Sequence, residues 1–216
     1  MTAKHKGKDF NDAPRTGIPD GAPLYWECPS CGYLSADPAF RDGRLHCPSC
    51  DSPGDGRRQF PREHLRRLDL RIRRYQADGE SEVVVILAAT FLESLIEDIL
   101  ARILEAQGAK TRLIATVLDT QRSVGQRIGK LFPSLTGMQF EDAAAELGFR
   151  DFPHRWRELR AQRNAFIHDS SFEGNQPDLN EATAQRAMVL LDQGYRLFIS
   201  INNRFVAGVQ RRQARQ

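Results

Sequence analysis

The chain has 216 residues, 40% of them hydrophobic, with a formal net charge of only +3. That length holds one moderate domain plus a small module, and so small a charge excludes a global basic field as the basis of nucleic-acid binding. No stretch is apolar for long enough to span a bilayer, since the run 83–92 is soon interrupted by Glu93 and Glu97.

The opening residues, with Lys4, Lys6 and Lys8, lack the apolar core of a signal peptide, so a cytoplasmic location is expected. In that compartment four cysteines are thiolate ligands in preference to disulfides. Residues 1–24, punctuated by Pro14, Gly17, Pro19, Gly21 and Pro23, read as a disordered arm. Its lysines are read as solvated, with contact to an anionic partner as the alternative.

Cys28 and Cys31, then Cys47 and Cys50, form two Cys-Pro-Ser-Cys knuckles separated by fifteen residues. Each knuckle is short enough for both sulfurs to reach one ion. Four thiolates satisfy tetrahedral Zn²⁺ and leave no position open to substrate, which predicts a structural metal. A redox role is the weaker reading, because no βαβ pattern surrounds either pair. Tyr25, Trp26, Tyr33, Leu34 and Leu45 predict short strands and a small apolar cover. The module over 25–56 resembles a zinc ribbon, which implies binding of nucleic acid or protein, or bracing of a neighbour. His46 is a possible substitute ligand beside a set that is already complete.

The turn-rich residues 51–56 mark a domain boundary. Over 57–79, Leu65, Leu68, Ile72 and Tyr75 recur at helical spacing, with arginines on the remaining faces. Such a basic linker helix either tracks an RNA backbone or pairs its arginines with Glu and Asp. Asp78-Gly79 breaks it, and a helical bundle is expected over 80–208. The first long helix, 82–107, is stopped by Gly108, and its opening turns are apolar almost all round, which places it at the bundle centre. Glu93 sits there between Phe91-Leu92 and Leu95-Ile96. A carboxylate in such a setting needs a partner or shifts its pKa upward; a surface position is the alternative. Glu97 and Asp98 read as solvated. Segments 111–118, 123–132 and 140–147 fold over one end of the bundle, with Arg127 and Lys130 read as solvated and groove-lining as their alternative.

Asp151-Phe152-Pro153 opens a helix dense in cations: Arg150, Arg155, Arg157, Arg160 and Arg163. Trp156, Leu159 and Phe166 form its apolar stripe, the tryptophan being a core residue before it is a platform for bases. Arg163, Asn164 and His168 follow one another closely, and Phe166 and Ile167 are expected to bury the turn between them. Arginine offers a planar, permanently charged fork for phosphate, and histidine moves a proton near neutral pH. Five residues at roughly 100° each set Arg163 and His168 about 140° apart. They can share one phosphate only near a frayed helix end or across a subunit interface. The loop 169–177 places His168 where the helix ends, and Asp169 either orients the imidazole or caps a turn. Asp178 to Glu181 has the form of a capping box opening a final helix to about 206. The tail 209–216 is basic and expected to fray.

Arg163-Asn164, three further residues and His168, preceded by long apolar helices, resembles the HEPN superfamily over roughly 80–206. The resemblance implies an all-α, up-and-down helical bundle that forms a homodimer and joins two Arg/His sets into a metal-independent endoribonuclease. His168 would then be the acid/base group, Arg163 would stabilise phosphoryl charge, and Asn164 would position Arg163 or bind phosphate. Glu93 matches the acidic residue that faces such a site. The substrate implied is single-stranded RNA, such as tRNA or mRNA, in a toxin or antiviral-defence setting restrained by an antitoxin or sensor protein. The alternatives are a non-catalytic module binding nucleic acid or protein, and a nucleotide-binding partner of a nucleotidyltransferase.

Overall fold

Arg102, a charged residue in a long apolar helix, joins the two halves of this chain. In a computed structural model, which describes residues 24–168 and 178–208, a small three-stranded sheet packs on one end of a helical assembly. Strand β1 (Tyr25–Glu27) pairs antiparallel with β2 (Leu34–Ser35) and with β3 (Arg58–Phe60), giving the order β2-β1-β3. A short helix, α1 (Pro38–Arg41), lies between β2 and β3, and Asp37 caps it by accepting from the Ala39 backbone N–H. Gly54 is required in the intervening loop, because any Cβ there would overlap the backbone of Gly43. The sheet therefore continues past the turn at 51–56, and its third strand runs to the buried Phe60. Residues 1–23 of the arm, the loop 169–177 with Asp169 and the tail 209–216 fall outside the described residues.

The helices are α2 (Glu63–Ala77), α3 (Ser81–Ala106), α4 (Thr111–Thr120), α5 (Val124–Gln126), α6 (Phe132–Thr136), α7 (Phe140–Glu146), α8 (Phe152–His168) and α9 (Glu181–Asn202). A π-helical turn, Arg127–Leu131, links α5 to α6, and another, Asn203–Ala207, extends α9. The protein is thus mainly helical with a small sheet near its N-terminus. Helix α3 touches α2, α4, α8 and α9, as its apolar circumference predicts. Phe91, Leu92, Leu95, Ile96, Ile99 and Leu100 along it are fully buried, each worth about 1.5–3 kcal/mol relative to exposure. Gly194 lets α9 approach closely, since a Cβ there would run into Leu92 of α3 and the Phe152 ring of α8. Trp156 is 1% exposed among Phe140, Phe152 and Phe198, so it belongs to the core and offers no platform to a base. Among the described residues no helix is long and apolar enough to cross a membrane.

Several arginines of α2 are matched within the chain. Arg73 bonds Asp69 at 3.0 Å and Asp192 at 2.7 Å, while Arg62, Arg67 and Arg74 face Asp98, Glu63 and Asp78. Arg66, which bonds the Gln59 side chain, and Arg71 make no ion pair with a described residue, so only part of the positive charge along α2 is matched within the chain. Its apolar face, through Leu65 and Ile72, is part of the same core as α3. Asp98 is not solvated as expected: its side chain is 11% exposed beside Arg62, and burial pushes its carboxyl above the ordinary 3.8. The cap of α9 also differs from expectation. Asn180, not Asp178, accepts from the Thr183 backbone N–H at 3.2 Å.

Arg102, 9% exposed, donates from Nε to Asn202 Oδ1 at 2.7 Å and from Nη2 to Glu27 Oε1 and the Gly32 carbonyl, both at 3.1 Å. Asn203 adds a two-way bond, donating to the Leu34 carbonyl at 2.7 Å and accepting from the Leu34 N–H at 2.8 Å. A buried charge satisfied on several sides fixes one geometry, because any other would leave it unpaired in a medium of low dielectric. The small sheet and its cysteine turns, together termed the ribbon, are held against the ends of α3 and α9 by this network.

Candidate functional site

Two groups of side chains carry chemistry, one at each end of the molecule's sequence logic. The first is the cysteine set. Cys28 and Cys31 follow β1, and Cys47 and Cys50 stand in the second knuckle. Cys28, Cys31 and Cys47 are buried, and Cys50 is exposed. Their sulfurs all lie within 4.8 Å of one another, with Cys31 to Cys47 at 3.5 Å and Cys28 to Cys50 at 3.7 Å. Sulfurs 2.3 Å from a tetrahedral centre stand about 3.8 Å apart, so the set can hold a metal ion. Burial opposes ionisation of Cys28, but hydrogen bonds from Ser52 and the Ser30 and Cys31 N–H groups draw its thiol down to about 6. Burial pushes Cys31 and Cys47 upward. His46 faces Asp51 at 3.3 Å and is outside the cluster. Ala207 of the second π turn packs against these cysteines.

The second group lies between α3 and α8. Arg160 and Arg163 are three residues apart, hence on one face of α8, and both point at Glu93. Its Oε1 accepts from Arg163 Nη2 at 2.6 Å and from Arg160 Nε at 2.9 Å. All three side chains are 17–20% exposed. One carboxylate therefore orients two guanidiniums and cannot neutralise both. A cleft of about 320 Å³ opens beside this cluster and is lined by Glu93, Arg160 and groups from the α4–α5 link.

Of the residues singled out from the sequence, Glu93 and Arg163 meet. Asn164 and His168 are exposed on the outer part of α8. The helix stays regular through His168, so the angular separation from Arg163 is kept. Among the described residues the His168 side chain makes no hydrogen bond or ion pair with Arg163, Asn164 or Glu93. Ile167 does not bury the intervening turn as expected, being 49% exposed, whereas Phe166 does pack against the core. Arg160 was not singled out, although its spacing from Arg163 and the need of Glu93 for a partner were both readable. The arrangement supplies oriented positive charge on the inner face of α8 and a proton-transfer group at its accessible end. No protein-family model, curated protein or solved structure matches the chain.

Proposed function

We propose that the protein is a HEPN-like, metal-independent endoribonuclease that cuts single-stranded RNA as a homodimer. The observation that carries this reading is the Glu93 carboxylate gripping Arg160 and Arg163 while His168 and Asn164 stay accessible on the same helix. Within one chain Arg163 and His168 face different directions, so a second copy is required to place a histidine across from an arginine.

In the reaction, a histidine imidazole takes the proton of the RNA 2′-hydroxyl, and the 2′-oxygen bonds to phosphorus as the bond to the 5′-oxygen breaks. A second, protonated imidazole gives its proton to the departing 5′-oxygen, leaving a 2′,3′-cyclic phosphate and a 5′-hydroxyl end. His168 from the two subunits fills both roles. Arg163 stabilises the charge that grows on the phosphoryl oxygens, Glu93 positions it, and Asn164 contacts phosphate. The four cysteines hold Zn²⁺, whose coordination is complete and which therefore serves structure. The resemblance places such activity in toxin or antiviral systems, with an antitoxin or sensor protein as its restraint.

A second reading is favoured by the regularity of α8 through His168: a non-catalytic module in which this helix only binds RNA or a protein. Purified protein incubated with labelled single-stranded RNA in EDTA separates the two. Cleavage lost in His168→Ala supports the nuclease. Binding without cleavage supports the module.

A further inference from the structure

Positive charge gathers beside Glu93 in excess of the carboxylates that face it. Arg160 and Arg163 share one carboxylate. Arg127, the first residue of the π turn, pairs with Glu97 at 2.7 Å, yet its Nε is buried without a hydrogen-bond partner among the described residues. Arg122, on the link between α4 and α5, is exposed and makes no ion pair with a described residue. The 320 Å³ cleft is lined by Arg122, Arg127 and Arg160, by the carboxylates of Glu93 and Glu97 already held by Arg160 and Arg127, and by Ser94 and Ser123. A second cleft of about 430 Å³, lined by Asp119 and Leu118, adjoins it through the shared Arg122 and Arg127. Helix α8 lines only the first cleft, through Arg160, and we call the adjoining pair the groove.

We infer that this groove is a phosphate subsite for the RNA strand, in which Arg122 and Arg127 hold a backbone phosphate outside the scissile linkage. The inference rests on the ribonuclease reading and adds to it where the strand lies. Arg160 precedes His168 by eight residues, about 12 Å along the helix axis, so a phosphate held at Arg122 and Arg127, beyond Arg160, is out of reach of the same chain's His168. Guanidinium forks, and the Ser123 hydroxyl, which accepts from the Gln126 N–H and keeps its own proton to donate, suit the several acceptor oxygens of a phosphodiester. Leu118 and Val124 are the apolar side chains of the lining and neither is aromatic, which leaves a base little to stack on and makes the groove a reader of backbone in preference to sequence. Free nucleotides carry the same phosphate chemistry, and the test separates them from a strand.

The test uses the full chain and a fluorescent single-stranded 2′-O-methyl RNA, which has no 2′-hydroxyl proton to lose and so is bound without being cut. Arg122→Ala is expected to weaken binding by roughly fivefold at moderate salt and to lower the slope of log affinity against log salt by about 0.7. Arg122→Glu is expected to weaken it further. Arg122 is exposed and unpaired, so both variants should keep the wild-type helical circular dichroism. Adenosine monophosphate is expected to compete only at far higher concentration than the strand. Unchanged affinity and salt slope in both variants would overturn the subsite, as would equal competition by the mononucleotide. Neither result touches the cleavage reading, which the His168→Ala assay decides independently.

Discussion

Glu93 on α3 and Arg163 on α8 stand 2.6 Å apart, and Arg160 draws on the same carboxylate oxygen. The buried Phe152, Trp156 and Leu159 seat α8 on the core, and on that seat the ion pair holds the Arg160 and Arg163 side chains on the face of α8 turned to α3. Glu93→Gln keeps the shape and removes the charge, leaving two guanidiniums in a partly buried site without a counter-ion. The expected cost is about 1–3 kcal/mol in chemical denaturation. Cleavage should fall by roughly tenfold or more, because a displaced arginine no longer meets the phosphate. A variant equal to wild type in both measurements would remove Glu93 from the site.

The cysteine set should bind one metal ion per chain, measurable by atomic emission on purified protein, with zinc expected. Cys47→Ser, at a position 2% exposed, should abolish that content. Losing about 3 kcal/mol would lower Tm by about 6–12 °C for a chain of this size. Since Ala207 packs on the same cysteines, the end of α9 should gain hydrogen exchange as well. A chain free of metal that melts unchanged in strong chelator would contradict the assignment.

Arg102→Ala removes the centre of the contact between the sheet and the helices, leaving Glu27 with only the longer approach of Arg58 at 3.7 Å and Asn202 Oδ1 without its guanidinium donor. Breaking a buried ion pair on one side costs about 3–5 kcal/mol. Limited proteolysis should then cut between the ribbon and α2 before the bundle itself opens. Resistance equal to wild type would show that the ribbon is held by other contacts.

Burial raises the Asp69 carboxyl above its ordinary 3.8, against the pull of Arg73 and the Tyr195 hydroxyl that donates to it at 3.2 Å. A carboxyl whose folded pKa is raised contributes stability that is fully present below the unfolded value and is lost as pH rises through the folded one. Asp69→Asn should therefore flatten the fall in denaturation free energy from pH 4 upward. Parallel pH profiles for variant and wild type would refute that role.

Much of this architecture is legible in the residue pattern, for physical reasons that can be named. Helix α3 announces its central place because its first turns have no polar face. The cysteine spacing limits the sulfurs to one small volume, and Gly108 and Gly148 stop their helices with left-handed backbones. The ribbon's seat was not legible. Arg102 and Asn202, 100 residues apart, are polar groups whose partners are decided by packing, and no periodicity points from one to the other. Ile167 misleads for a related reason: an apolar residue near a motif reads as buried, while the end of α8 reaches beyond the core. The groove at Arg122 forms where the α4–α5 link meets α3, a meeting that neither segment reveals alone.

The ribonuclease proposal is tested most directly by incubating wild-type, His168→Ala and Arg163→Ala proteins with end-labelled single-stranded RNA in EDTA and identifying the product ends. The account predicts cleavage by wild type to 2′,3′-cyclic phosphate and 5′-hydroxyl ends, with each variant at least about a hundredfold slower. Cutting that is equally fast in all three proteins, or no cutting by a dimeric wild-type protein, would contradict it.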